Sequence, residues 1–537
     1  MELLRPQDAF FLYTETARVH QHVGGLAVLG PRPTGPVRLS DLEERMRAEL
    51  PWLPRLGQVL TWPAQGLARP AWAPAGELRL SDHLHHAALP APGDEEALLE
   101  YVASVMARPL DRSRPLWQIH LIDGLPDGRQ ACLIKLHHAV ADGVGALRVV
   151  SHLYDDGGGE PPGNHAGFAQ GPSMDGASGN GATSGRWVKG RRGAQRGGAV
   201  AFATASAVQL VDPFLSLGRW ARRAQSSPRR VRRRATEVGA GLWELMQRGP
   251  AARSPLNGEV GPRRRVALVH VPLEGIDELC HLHRASRNDV VLAAVLEGLQ
   301  PVLARGAHGG EGAPDGSLAG DGSVAGDGSV AGDGSVAGDG SVAGDGLVAA
   351  NGRRPGAGPT IRVMIPVSMR TLAQRYLPGS WTAALSADLP VGPMSPSERL
   401  LRVRQATGRL KRSHQAAGAA FVMSAVGLWA PPGLHARAAR AAYCSRWFNL
   451  VVTNLTGQRH TVHLFGAPVE MAYPIVPLAS GIGLTVGAMS WGDQMGVALT
   501  ADPGLVPDLD LVADTVGACL CREPTNWMAT PAASSRS

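Results

Sequence analysis

The stretch Ala131–Val150, ACLIKLHHAVADGVGALRVV, decides how this chain is read. Its first half is a short apolar run, rich in Leu and Ile, with the length of a buried strand. Side chains alternate faces along a strand, so His138 shares a face with Cys132, Ile134 and Leu136, and His137 with Leu133 and Lys135. Neighbouring histidines on such a strand diverge, which argues against a metal held by the pair. An apolar setting disfavours the imidazolium and lowers its pKa. A neutral imidazole is what a general base needs to be at pH 7. Asp142-Gly143 then make a turn, with Asp142 either orienting the ring or holding the turn through a buried ion pair. An apolar helical pattern follows from Gly143 to Leu153. The bland reading is a pair of satisfied core histidines beside a turn. The chain carries its own control in His85-His86, which has no Asp-Gly behind it.

The spacing His137-His138-Ala139-Val140-Ala141-Asp142-Gly143 matches the pattern HHxxxDG, and resembles that segment of CoA-dependent acyltransferases and peptide-synthetase condensation domains. Pro109–Trp117 resembles the PLW segment of the bacterial wax ester synthase/diacylglycerol acyltransferase family, and Asn288–Ala293 resembles its ND motif. Thr360–Arg370 is similar to its PVSxR segment. Asn449–Gly457 is similar to its Ser-Asn-x-Pro-Gly turn, with Thr453 and Thr456 in place of Ser and Pro. Gly379-Ser380 stands where the family has Gly-Asn. The resemblance runs from about Gln7 to about Val516, with interruptions.

It implies an α/β protein of two chloramphenicol-acetyltransferase-like domains with the active site between them. The implied donor is a long-chain acyl-CoA. The implied acceptor is diacylglycerol, a long-chain alcohol, or both, giving triacylglycerol or wax ester. Acyl-CoA is then a substrate, and no metal or resident cofactor is expected. An acyl thioester needs an activated alcohol and a place for the oxyanion. His138 would be the general base, with His137 supporting it, Asp142 fixing the loop and Gly143 making the turn. Asn288 or Asp289 would support the site from the second domain, Asn288 as a candidate oxyanion donor. The competing reading of that pair is a helix cap. The basic partner of Asp142 is not readable. Two other functions stay open: an acyltransferase of the same fold for another lipid alcohol or amine, and a catalytically idle lipid-binding or scaffold protein.

At 537 residues the chain exceeds one ordinary core, so two domains are expected. A hydrophobic content of 44% is that of a globular protein, and 67 Gly with 41 Pro imply long loops. The net charge of +7 favours acidic surfaces such as membranes or CoA phosphates. The Arg clusters lack a nucleic-acid reading motif or interleaved aromatics. Five scattered cysteines predict a reduced compartment without structural disulfides. Cys519 and Cys521 have no partner pair, which argues against zinc. No secretory signal and no apolar run of spanning length are present, so a cytoplasmic protein with at most peripheral membrane or lipid-droplet contact is expected.

The expected organisation is an N-terminal acyltransferase domain over 1–154, a linker with basic crossover helices over 155–250, a C-terminal domain over 251–521 and a frayed tail over 522–537. From Asp155 to about Gly198 the composition collapses to Gly, Ser, Pro and Asn, as in a linker. Within 198–234, Phe214, Leu215, Leu217 and Trp220 stand beside many Arg, a pattern suited either to an interfacial helix or to a crossover helix with a solvated basic face. Gly316–Asp345 repeats Gly-Ser-Val/Leu-Ala-Gly-Asp within an insertion over about 306–358, where disorder is expected. His22–Leu29, Trp117–Ile122, Thr360–Ser368, Trp381–Val391 and three segments after Ala472 read as strands. Asp94–Ala107 and Ser395–Gln415 read as helices. His83, His85 and His86 read as surface or supporting residues.

Overall fold

The computed structural model describes residues 2–62, 69–155, 228–308, 359–370 and 379–527. The expected linker beyond 155, the apolar and basic stretch 198–227, the repeat 316–345 and the tail beyond 527 lie outside the described residues.

In chain order the first half forms β1 (Glu2–Leu3), α1 (Pro6–Thr14), β2 (His22–Leu29), α2 (Leu39–Glu49), β3 (Gln58–Thr61), β4 (Ala71–Pro74), β5 (Leu84–Ala88), α3 (Glu95–Ala107), β6 (Trp117–Asp123), β7 (Gln130–His137) and α4 (Gly143–Ser151). A helix over Pro228–Met246 leads to β8 (Arg265–Pro272), then to helices Leu273–His283, Arg287–Gly298 and Gln300–His308. β9 (Thr360–Ser368) and β10 (Thr382–Pro390) follow, then helices Pro396–Arg412, Gln415–Trp429 and Pro432–Ala442. β11 (Leu450–Thr456), β12 (His463–Leu464), β13 (Ala467–Ile475), β14 (Leu484–Trp491), β15 (Gln494–Ala501) and helix Leu509–Leu520 complete the fold.

The strands build two six-stranded sheets, β12-β13-β2-β7-β6-β5 and β10-β9-β11-β14-β15-β8, with a small sheet β1-β4-β3 beside the first. The expected boundary near 251 separates the two large sheets except at β12 and β13. There the chain crosses back, and β13 pairs antiparallel with β2, Tyr473 opposite Leu26. A period-two pattern marks a strand but not the sheet it joins. β2 is consequently interior rather than an edge, with β7 on its other side and His22 opposite His137.

Each large sheet carries its own apolar core. Every residue of β7 is buried, as the continuous apolar run predicts for an interior strand. β10, at a sheet edge, alternates instead, with Ala383, Leu385, Ala387 and Leu389 inward. The two sheets meet where β13 passes over β14 and β15. A Cβ on Gly487 would lie 2.4 Å from the Pro474 carbonyl oxygen, and one on Gly496 would lie 2.8 Å from that of Ala472. Only glycine permits that approach.

α1 begins with Pro6 at its first turn and is buried continuously from Asp8 to Thr14. Such a helix belongs inside the protein, and it packs on helices Gln415–Trp429 and Pro432–Ala442. The first of these, Gln415–Trp429, shows no clear apolar stripe to read from spacing, whereas the second buries His435 and Ala439 on one face. Around β5 the histidines include a buried one, His83, and an exposed one, His86. His83 Nδ1 lies 2.8 Å from the Trp117 carbonyl oxygen, and His86 Nε2 2.6 Å from Asp123.

Candidate active site

β7 ends at His137, and the chain turns through His138 to Ala141 into α4. The two rings diverge, as strand alternation predicts. His137 is buried in the first half of the chain. Its Nδ1 accepts the Ala139 N–H at 2.9 Å, so that nitrogen carries the lone pair. Its Nε2, which carries the proton, lies 3.2 Å from Glu15 Oε1. Lys135, two residues earlier on the same face, is fully buried and donates to the carbonyls of Val105 and Arg108 at the end of α3. Burial and the nearby Arg108 push its pKa down to about 7.

His138 turns the other way. Its ring stacks on Phe11 of α1, with centroids 3.7 Å apart and planes 13° apart. Its backbone N–H donates to the Gln21 carbonyl at 2.8 Å. Burial pushes its pKa down to about 4, against an opposing pull from Asp142 and from its own backbone carbonyl. Nδ1 is buried without a hydrogen bond to any other residue.

Asp142 plays the second of the two roles read for it: it holds the turn. It is the N-cap of α4, and its Oδ1 accepts the Gly145 N–H at 2.9 Å. Its missing basic partner is Arg370, directly after β9. Arg370 donates to both carboxylate oxygens at 2.5 Å, and both side chains are almost completely buried. Trp381 N–H donates to Oδ2 at 2.9 Å, and Arg370 also holds the Gly379 carbonyl at 2.7 Å. Gly379 thus makes a structural contact here, and it forms a β-bridge with Ala141. The turn of the first half is therefore fastened by the second. Gly143 sits against Leu455 of β11, whose methyls lie 3.2 Å from where a Cβ would be.

Asn288 and Asp289 stand in the first turn of helix Arg287–Gly298. Asp289 accepts from Ser286 N–H at 2.8 Å, Ser286 Oγ at 2.6 Å and Thr407 Oγ1 at 2.6 Å. This is a capping box with an added hydroxyl. Both carboxylate oxygens are occupied there, and neither faces the histidine turn. Asp289 thus takes part in the cap, as the competing reading of the pair has it, with Ser286 as the N-cap.

Sequence reasoning missed Phe11, Glu15 and Gln21. Glu15 follows α1 and is nearly buried. It accepts from Gln21 N–H at 2.7 Å and from Arg112 at 2.5 Å, and lies 3.7 Å from His22 Nε2. Burial raises its pKa, but His137, His22 and Arg112 more than offset this and hold it well below the usual carboxylate range. The one available signal was spacing: Asp8 and Phe11, three residues apart, share a helical stripe, and Glu15 stands at the end of that helix.

Two α/β halves fastened across a His-His-turn-Asp segment define a protein of the CoA-dependent acyltransferase and condensation-domain class. The comparisons narrow this. The profile of the wax ester synthase/diacylglycerol acyltransferase catalytic domain matches residues 4–291, and that of the family's C-terminal domain matches 379–520. The chain belongs to this family and is an acyltransferase. A probable diacylglycerol O-acyltransferase of Mycobacterium tuberculosis, tgs1, is 28% identical over 517 residues, covering 96% of this chain and 94% of the relative. A second, tgs2, is 37% identical over 150 residues, covering 28% of this chain and 33% of the relative. The wax ester synthase/diacylglycerol acyltransferase from Marinobacter aquaeolei VT8 shares the fold with a TM-score of 0.58 at 20% identity, covering 98% of both chains. The first condensation domain of the calcium-dependent antibiotic synthetase shares it with a TM-score of 0.54 at 15% identity, covering 98% and 97%. Among the described residues no group of three His, Cys, Asp or Glu is arranged to hold a metal ion. No described helix is long and apolar enough to cross a membrane.

Proposed function

We propose that this chain moves a long-chain acyl group from acyl-CoA to the hydroxyl of diacylglycerol, of a long-chain alcohol, or of both, with His138 as general base. The observation that carries this reading is the state of the His138 ring. The ring is buried against Phe11 in the turn that Asp142 and Arg370 fasten, its Nδ1 makes no hydrogen bond to another residue, and the reading takes Nε2 as the basic nitrogen. Burial keeps the ring neutral at physiological pH.

The alcohol proton passes to Nε2 as the oxygen attacks the thioester carbonyl. The tetrahedral adduct then collapses, the C–S bond breaks, and the CoA thiolate takes the proton back from the imidazolium. Asp142, within the same turn, favours the transient imidazolium. A base in this position contributes typically about 10²–10⁴ in rate. His137 serves as the turn-former beside it, and Gly143 gives α4 the room to start against Leu455. Transfer is direct, without a covalent acyl-enzyme, and no resident cofactor enters. The working domains are 1–154 together with β12 and β13, and the remainder of 251–521.

We extend the reading to peripheral contact with an anionic membrane face or lipid inclusion. On the described part of the basic segment, helix Pro228–Met246, Arg229, Arg232, Arg233 and Arg234 are exposed, as are Trp243 at 63% and Met246 at 80%. A helix that exposes arginines over its first half and apolar groups at its end suits a lipid interface.

The test is acyl transfer from labelled palmitoyl-CoA to dioleoylglycerol and to hexadecanol, with wild type and His138→Ala. Ester formation that the folded variant loses supports the reading, and the product ratio ranks the acceptors. A wild type inactive on both acceptors refutes the substrate assignment, and a fully active His138→Ala refutes the base assignment.

A further inference from the structure

α1 runs beside the histidine turn and touches it at successive positions. Asp8 Oδ1 accepts the Ser380 N–H at 2.7 Å, and Arg5, paired with Asp8, donates to the Ser380 carbonyl at 3.1 Å and stacks 4.4 Å over Trp381. Trp381 is the residue whose N–H holds Asp142. One turn along, Phe11 covers the His138 ring. At the helix end, Glu15 faces His137 and fixes Gln21, whose carbonyl holds the His138 N–H. Asp8 and Phe11 lie on one stripe of the helix, and Glu15 is its C-cap residue.

We propose that Phe11 and Glu15 are positioning residues for the transfer reaction: one face of the first helix and its C-cap residue clamp both histidine rings in the orientation that turns His138 Nε2 toward the substrates. This deepens the proposed function and rests on His138 as the base. Phe11 blocks rotation about the His138 side-chain bonds by occupying one ring face. Glu15 holds His137 with its Nε2 proton outward, which leaves Nδ1 free to receive the Ala139 N–H and so shape the turn. Arg112, from the PLW segment, reaches the other oxygen of the same carboxylate, tying that segment to the clamp.

The charged and titratable groups around the His138 ring are Asp142 and His137 on its own segment, Glu15 behind His137, and Arg370 behind Asp142. Tyr443 borders Phe11 from the second half, with ring centroids 6.4 Å apart.

The experiment compares steady-state kinetics of Glu15→Gln, Phe11→Leu, Phe11→Tyr and His138→Ala in the full-length protein, each checked for wild-type melting behaviour. Glu15→Gln and Phe11→Leu are expected to lower kcat by on the order of 10²-fold, the scale of a small misplacement of a catalytic group. KM for acyl-CoA should stay within about twofold, and Phe11→Tyr, which keeps the ring, should restore kcat. A second readout is the pH profile of Phe11→Ala. Exposing His138 should move the acid limb of kcat/KM upward toward the ordinary imidazole range, which a purely structural role would not do. Folded Glu15→Gln and Phe11→Leu proteins with wild-type kcat, beside an inactive His138→Ala, overturn the clamp and leave the base standing. A fully active His138→Ala overturns both.

Discussion

Replacing Arg370 by Ala should loosen the histidine turn without touching a histidine. In the native protein its guanidinium makes two 2.5 Å contacts to Asp142, with 5% and 3% of the two side chains exposed. Removing it strands a buried carboxylate without its counter-charge. Breaking one side of such a pair costs about 3–5 kcal/mol. The Gly145 and Trp381 N–H groups still donate to Asp142 at 2.9 Å, which places the loss at the lower end, about 3 kcal/mol. At 1.4 kcal/mol per tenfold, local opening of this contact should become on the order of 10²-fold more frequent. The assay is hydrogen–deuterium exchange of those two amides, which report on opposite halves of the chain. Both should accelerate together, while the interior of β14 stays protected. Arg370→Lys keeps the charge but loses the forked geometry, and should fall between. If both amides in Arg370→Ala exchange within about threefold of wild type, the ion pair is not what fastens the turn.

Three other outcomes follow from the geometry. Because burial pushes the His138 pKa down to about 4, the ring is neutral above that pH; kcat/KM should lose activity on the acid side near pH 4, and a limb near 6.5 would mean the ring is solvated in solution. Asp289→Ala removes the acceptor of two Ser286 bonds and one Thr407 bond, and should cost about 1–3 kcal/mol of stability by thermal melting; turnover per folded molecule should stay within about twofold, and a well-folded variant with much lower kcat would return Asp289 to the site. Trp243→Ala combined with Met246→Ser should weaken sedimentation with anionic vesicles, and the wild-type binding should fall with added salt; unchanged binding would move the lipid contact elsewhere.

The strand and the start of the histidine turn are legible in sequence because the features that mark them are local. A continuous apolar run makes β7 interior, alternation separates the two rings, and Asp142 caps the helix it precedes. The helix caps at Asp94 and Ser395 are legible for the same reason. Arg370 is not, because it lies 228 residues from Asp142 and its side chain is one of many arginines until topology brings β9 to the turn. The crossing of β13 into the first sheet is hidden likewise, since Ala467–Ile475 has the same alternation whichever sheet it joins. Asp289 shows how a motif and a helix cap compete for one residue. The acidic residue of an Asn-Asp pair before an apolar helix is equally suited to capping, and the neighbouring Ser286 and the distant Thr407 decide the matter.

Glu15 shows a different limit. A glutamate at the end of an apolar helix reads as a solvent-facing terminus, and a buried carboxylate is costly unless it is paired. Here His137, His22 and Arg112 supply the pairing, from three separate segments. That pairing is assembled only in the folded protein, and there the carboxylate joins the start of β2, the PLW segment and the end of β7. Asp142 has the same logic on the other side of the turn: a carboxylate buried among donors drawn from two halves, Gly145 near in sequence and Arg370 and Trp381 far away. Between the two acids lies His138, which itself makes no side-chain hydrogen bond through Nδ1. The proposed base is thus held by the groups around it, its backbone by Gln21 and its ring face by Phe11. Among the described residues its ring forms no ion pair, while His137 and Asp142 on either side do.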